Sequence, residues 1–167
     1  MKMAMIDNSF TISHEFNASA EKVFDAWTNP DHLKQWFAPK GYSVVYSKAD
    51  IRAGGESHYC MISKGGLQLW GKMFYKDFIP PAKLSYTQVF SNEKGGIEHH
   101  PMIKNFPVEI FSTLMLDEKD GLTTLNLTWA PMNASVEEIT RFSDETFELS
   151  QEWGGMFEQL ETYLANN

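Results

Sequence analysis

Residues 135–164 read SVEEITRFSDETFELSQEWGGMFEQLETYL, and this stretch decides the fold. It opens as a capping box: Ser135 accepts from the Glu138 amide, and the Glu138 carboxylate reaches back to the Ser135 amide. Ile139, Phe142, Leu149, Trp153, Met156, Leu160 and Leu164 then recur at helical spacing, with Thr146 filling one turn of the stripe. Glu137, Arg141, Asp144, Glu145, Glu148, Glu152, Glu158 and Glu161 lie mostly on the other face. The pattern predicts one long amphipathic helix, too charged to span a bilayer. Nucleation is costly, so such a rod is marginal alone and its apolar side needs a partner.

The chain ahead of it supplies one. Residues 9–16 alternate, with Phe10, Ile12, His14 and Phe16 on one side, as a half-buried strand requires. His14 on that face is expected to be a neutral histidine with a local partner. Ser19 is a helix N-cap, followed by Val23, Phe24 and Trp27 at helical spacing. Pro30 stops that helix near Thr28, and Asn29-Pro30 starts a second with Leu33, Trp36 and Phe37 inward. From Tyr42 onward, strands are expected over 43–52, 56–63, 67–78, 84–91, 108–116 and 122–129. Regular turn signals between them predict antiparallel hairpins, and 92–105 reads as a loop rich in Gly, His and Pro. Strand, two short helices, six strands and a long helix make an α+β domain. In it, a curved antiparallel sheet of six to seven strands wraps one helix and leaves a cavity between them.

Composition narrows the function classes. The 167 residues suffice for a single domain with its own core, residues 1–8 being an N-terminal tail. The net charge of −8 disfavours nucleic acid and anionic membranes, which call for clustered Lys and Arg. One cysteine, Cys60, leaves no intramolecular disulfide or cysteine zinc cluster. No secretory signal is legible in residues 1–10, and the expected compartment is the cytoplasm.

Several motifs together resemble a known family. They are Thr28-Asn29-Pro30-Asp31-His32-Leu33 with Gln35-Trp36-Phe37-Ala38-Pro39, then Asp50 to Gly55, Pro80-Pro81 with Leu84, and Trp153, Gly155 and Leu160. This set resembles the domain at the C-terminus of the activator of the 90-kDa heat-shock protein's ATPase, within the START-like (SRPBCC), birch-pollen-allergen-like superfamily. The resemblance implies a helix-grip fold. Ala53 stands where the family usually has Pro before Gly-Gly, and the loop over 92–105 is longer and richer in His. The superfamily includes stress-response proteins, ligand binders and polyketide-cyclase-like enzymes, so fold alone does not choose a function.

The residues that bear chemistry are few. Glu56 and His58 share one face of their strand. Facing inward they form an acid/base pair in an apolar cavity, where burial raises the Glu pKa and lowers the His pKa; facing outward they are solvated. Cys60 and Ile62 on the same face favour the inward reading, with Tyr59 and Met61 opposed. Tyr86 with Gln88, and Trp70 with Lys72, pair aromatic bodies with polar tips and suit a pocket or ordinary packing equally. Gly154 and Gly155 weaken the last helix, which implies a close strand, a kink or room for a ligand. His99 and His100 lack a third ligand nearby, and no metal or cofactor is expected.

The leading expectation is a binding protein for a small hydrophobic ligand, lined by His58, Trp70, Tyr86, Trp153 and Phe157. The enzyme alternative needs Glu56, His58 or Tyr86 to converge on one cavity. The third alternative is a chaperone-associated domain. The activator carries a separate N-terminal domain, whereas only about eight residues precede the first strand here, so that role is not inherited from the resemblance. A homodimer through a sheet edge or helix is a further expectation.

Overall fold

The structure is a computed structural model and describes residues 8–167. Apart from Asn8, the expected N-terminal tail lies outside the described residues. The alternating stretches form eight strands: β1 (Phe10–Phe16), β2 (Tyr42–Ala49), β3 (Glu56–Ser63), β4 (Gln68–Ile79), β5 (Lys83–Ser91), β6 (Ile97–Glu98), β7 (Glu109–Lys119) and β8 (Leu122–Met132). They make one antiparallel sheet in the order β1-β8-β7-β5-β4-β3-β2, with the short β6 pairing beside β5. The loop expected over 92–105 thus contributes a two-residue strand.

Two turns show why the chain reverses where it does. Lys119 pairs with Leu122, and the intervening Asp120 and Gly121 have φ of 54° and 82°, the two positive values a tight hairpin turn needs. The Asp50–Gly55 turn requires its glycines. Gly54 has φ +81°, and a Cβ on Gly55 would lie 2.1 Å from the Asp50 carbonyl oxygen. The turn closes through Gly55 N–H to the Arg52 carbonyl at 2.8 Å, with Ala53 in place of proline.

β1 and β2 lie at opposite edges of the sheet, and the chain between them must cross its concave side. It does so as α1 (Ala20–Thr28) and α2 (Pro30–Trp36). Ser19 Oγ accepts from the Lys22 amide at 3.2 Å. Asn29 serves both helices: its amide donates to the Asp25 carbonyl, and its Oδ1 accepts from the Asp31 amide.

The expected single C-terminal helix is two, α3 (Val136–Asp144) and α4 (Thr146–Ala165), broken at Glu145. The capping box forms as read, with Glu138 N–H to Ser135 Oγ at 3.1 Å and Ser135 N–H to Glu138 Oε1 at 2.9 Å. The break has a local cause. Ser143, Asp144 and Thr146 are weak helix formers whose side chains compete for backbone groups. Thr146 Oγ1 donates to the Ser143 carbonyl at 2.9 Å, and the Glu145 amide divides between the Arg141 and Phe142 carbonyls. Phe142 then packs on Phe106, while α4 lays Trp153, Met156, Phe157, Leu160 and Leu164 into the core.

The fold is therefore α+β, with the long helix gripped by the sheet. Among the described residues no helix is long and apolar enough to cross a membrane. Of the three readings of Gly154 and Gly155, a close strand, a kink or room for a ligand, the close strand is ruled out: a Cβ at either meets nothing within 4 Å. Replacing Gly155 by Ala should stabilise the protein by about 0.5–1 kcal/mol, because only helix propensity changes. Urea unfolding should show a higher midpoint at unchanged slope, and a lower midpoint would mean the glycine relieves a clash.

Candidate functional site

The concave face is set by strand parity. On β3 the inward residues are Ser57, Tyr59 and Met61; on β4, Leu69, Gly71, Met73 and Tyr75; on β5, Tyr86, Gln88 and Phe90. On β8, Leu125, Leu127 and Trp129 face in. Between this face and α4 lies a cavity of about 240 Å³. Its walls include Tyr42, Tyr59, Met61, Leu69, Gln88, Phe90 and Trp129 from the sheet, Phe37 and Pro39 from the α2–β2 connection, and His100, Met102, Ile103 and Phe106 from the loop. Glu145, the N-cap residue of α4, and Glu148, Leu149, Glu152, Trp153 and Met156, on one stripe of that helix, close it.

Its polar groups are few. Gln88 Nε2 donates to the Tyr59 hydroxyl at 2.8 Å, while Gln88 Oε1 is buried without a partner. Burial pushes the Tyr59 hydroxyl well above its ordinary pKa, so it stays protonated. A Cβ at Gly71 would lie 2.5 Å from that hydroxyl oxygen and 2.6 Å from Cζ, so only glycine lets the Tyr59 ring lie across β4. His100 is wedged against Phe90 and Phe106, with ring centroids at 4.6 and 5.5 Å. Its Nδ1 accepts from the Met102 and Ile103 amides, both at 3.0 Å. Those bonds require an unprotonated Nδ1, and burial lowers the His100 pKa in the same direction. Burial also raises the Glu152 pKa.

The residues singled out from sequence divide. Trp153 lines the cavity, and Trp70 borders it while its ring packs on His58 at 5.0 Å. Tyr86 and Phe157 are each 1% exposed and pack in the core beside the cavity, not on its wall. The inward reading of Glu56 and His58 is overturned, since both lie on the convex face. Glu56 is paired with Lys72 at 3.1 Å and Lys48 at 3.7 Å, and the Lys72 hydrogen bond lowers its pKa, opposite to the rise a cavity would cause. His58 is held by Ser47 Oγ at 2.8 Å and the Asn92 carbonyl at 3.0 Å. The turn after β5 folds back over this face and buries His58 and Cys60 from outside, which is why apolar neighbours misled the parity. Glu56, His58 and Tyr86 do not converge.

Sequence reasoning missed Phe37, Tyr42, Phe90, His100, Phe106 and Trp129 as wall residues, together with the role of Gly71. Trp129 carried a signal, alternation with Leu125 and Leu127; the loop residues carried none. Among the described residues no group of three or more His, Cys, Asp or Glu side chains is placed to hold a metal ion.

Solved structures share this architecture. Protein Ms6760 from Mycobacterium smegmatis superposes with a TM-score of 0.79 at 19% identity, over 96% of this chain and 92% of that one. A protein from Arthrobacter aurescens gives 0.81 at 20% identity, over 98% and 89%. The AHSA1 protein from Silicibacter pomeroyi gives 0.71 at 16% identity, over 94% and 97%. At these identities the likeness shows the fold alone. No protein of curated function matches the sequence significantly. Residues 17–165, nearly all of the chain, match one sequence family throughout, and the chain belongs to the activator of Hsp90 ATPase homolog 1-like protein family.

Proposed function

We propose that this protein binds a small, largely apolar molecule in the cavity beneath α4. The observation that carries this reading is the cavity itself: about 240 Å³, walled mostly by aromatic and aliphatic side chains, with a buried acceptor, Gln88 Oε1, that no protein group satisfies. Sites of this kind combine apolar walls with a few orienting polar groups. An engineered cavity of about 150 Å³ holds benzene, so this one suits a ligand of one to two rings. The cytoplasm fits the reading, because Cys60 is a free, buried thiol. An acid/base enzyme has less support, since its three candidate groups do not meet.

Three outcomes test this. A naphthalene-sized fluorophore should bind the wild type, and Met61→Trp, which fills the wall, should abolish binding while the folded signal and Tm persist. Undiminished binding to that variant would place the ligand elsewhere. Gly71→Ala should displace the Tyr59 ring and destabilise the protein by about 1–3 kcal/mol in denaturant unfolding, with weaker probe binding; an unchanged midpoint would show that the ring has room to move.

The third outcome concerns pH. The folded state holds His100 neutral, with a pKa below its ordinary value of 6.5. Below that value the unfolded chain takes the proton first, so stability should fall as pH drops through the ordinary and then the lowered pKa. Above it the contribution is complete. His100→Asn should flatten this dependence, and an identical pH profile in the variant would exclude the loop contact as its source.

A further inference from the structure

The cavity's mouth is acidic, and nothing in its wall balances it. Glu145, Glu148 and Glu152 occupy the same helical stripe as Trp153 and Met156, and the wall contains no Lys or Arg. Glu145 has Arg141 at 3.9 Å, but among the described residues neither Glu148 nor Glu152 has an ion-pair partner. A like-charged pair four residues apart weakens a helix. Here it sits on the stripe facing the cavity, beside aromatic rings. Carboxylates at the rim of an aromatic-walled hollow form an environment for a cation, which gains from both the charge and the ring faces.

The wall also holds polar atoms without protein partners. Gln88 Oε1 is one, and the indole N–H of Trp129, a residue 9% exposed, is another. His100 adds no positive charge, because its Nδ1 is committed as an acceptor.

Building on the binding reading above, we infer that the ligand class is an amphipathic amine. Its apolar body fills the cavity, and its protonated or quaternary nitrogen lies at the mouth against Glu148 and Glu152. A donor group on its inner end would satisfy Gln88 Oε1. Anionic analogues of the same shape are disfavoured, because they would bring like charge into a partly desolvated rim.

Calorimetric titration of the full chain with three matched probes tests this: naphthylmethylammonium, naphthylmethanol and naphthoate. The ammonium should bind at least about tenfold more tightly than the carboxylate, or ~1.4 kcal/mol, with the alcohol between. Raising the salt to about 0.5 M should narrow the gap. The double variant Glu148→Gln, Glu152→Gln should weaken the ammonium far more than the alcohol, so that the gap between the two closes. If the carboxylate binds as well as or better than the ammonium, the amine assignment is overturned and the apolar-ligand reading stands. If the alcohol binds and the ammonium gains nothing from the two carboxylates, the assignment fails in the same way. If none of the three binds, the apolar-ligand reading fails and takes this one with it.

Discussion

Trp153 is the point on which the three parts of this fold meet. Its ring stacks on Trp27 of α1 at 5.8 Å with an interplanar angle of 10°, and Trp129 of β8 meets it edge-on at 5.7 Å and 86°. Phe37, just after α2, and Phe157, one turn on, complete the cluster at 6.0 and 5.6 Å. Each such aromatic pair contributes about 0.5–1.5 kcal/mol beyond the area it buries. Helix, crossing helices and sheet are thus fixed to one another through a single side chain. Its place mid-helix decides which half of the rod packs tightly and which half does not.

Beyond Trp153 the rod is seated firmly. Met156, Phe157, Leu160 and Leu164 are buried, and polar groups latch the same half. Gln159 Nε2 donates to the carbonyls of Trp36 and Ala38, which lie at and just past the end of α2. Lys22 Nζ reaches the Leu164 carbonyl, and His14 meets Glu161. Before Trp153 the contacts thin out: Leu149 is only partly buried and Phe147 is 68% exposed. The gap accordingly opens under the first turns of α4, against Glu148, Leu149 and Glu152. The break at Glu145 widens the choice of path there, since α3 leaves to cover Phe106 instead of continuing over the gap.

Most of this order was legible because period and punctuation are local properties. The capping box at Ser135, the double use of Asn29-Pro30 and the alternation in β1 and β8 each needed only neighbours in sequence. The break at Glu145 was less visible, since the apolar stripe continues across it and only the competition of Ser143 and Thr146 for backbone groups marks it. The site was read less well, for a physical reason. β3 is buried on both faces, so alternation could not say which face was inside, and the inward alternative for Glu56 and His58, favoured by Cys60 and Ile62, is the one that fails. What covers its outer face is a turn 34 residues later in the chain, through contacts such as Asn92 to His58, and no local pattern encodes that. His100 and Phe106 lie in a stretch without periodicity and became wall residues only through tertiary packing.

The family supplies the frame and leaves the contents open, and the residues show where that division falls. The motifs that resemble the family's, from Thr28 to Pro39, around Gly54-Gly55 and at Trp153, build turns, caps and the aromatic cluster. Apart from Phe37, Pro39 and Trp153, the wall residues lie outside those motifs. Filling the hollow with larger apolar side chains would recover stability on the order of several kcal/mol, and Met61 and Leu69 could be enlarged without touching any family motif. The space instead coexists with an unpaired amide oxygen and two carboxylates, Glu148 and Glu152, without ion-pair partners among the described residues. Packing alone gives no reason for that combination, whereas a ligand that is apolar in body and charged at one end gives a reason for each part of it.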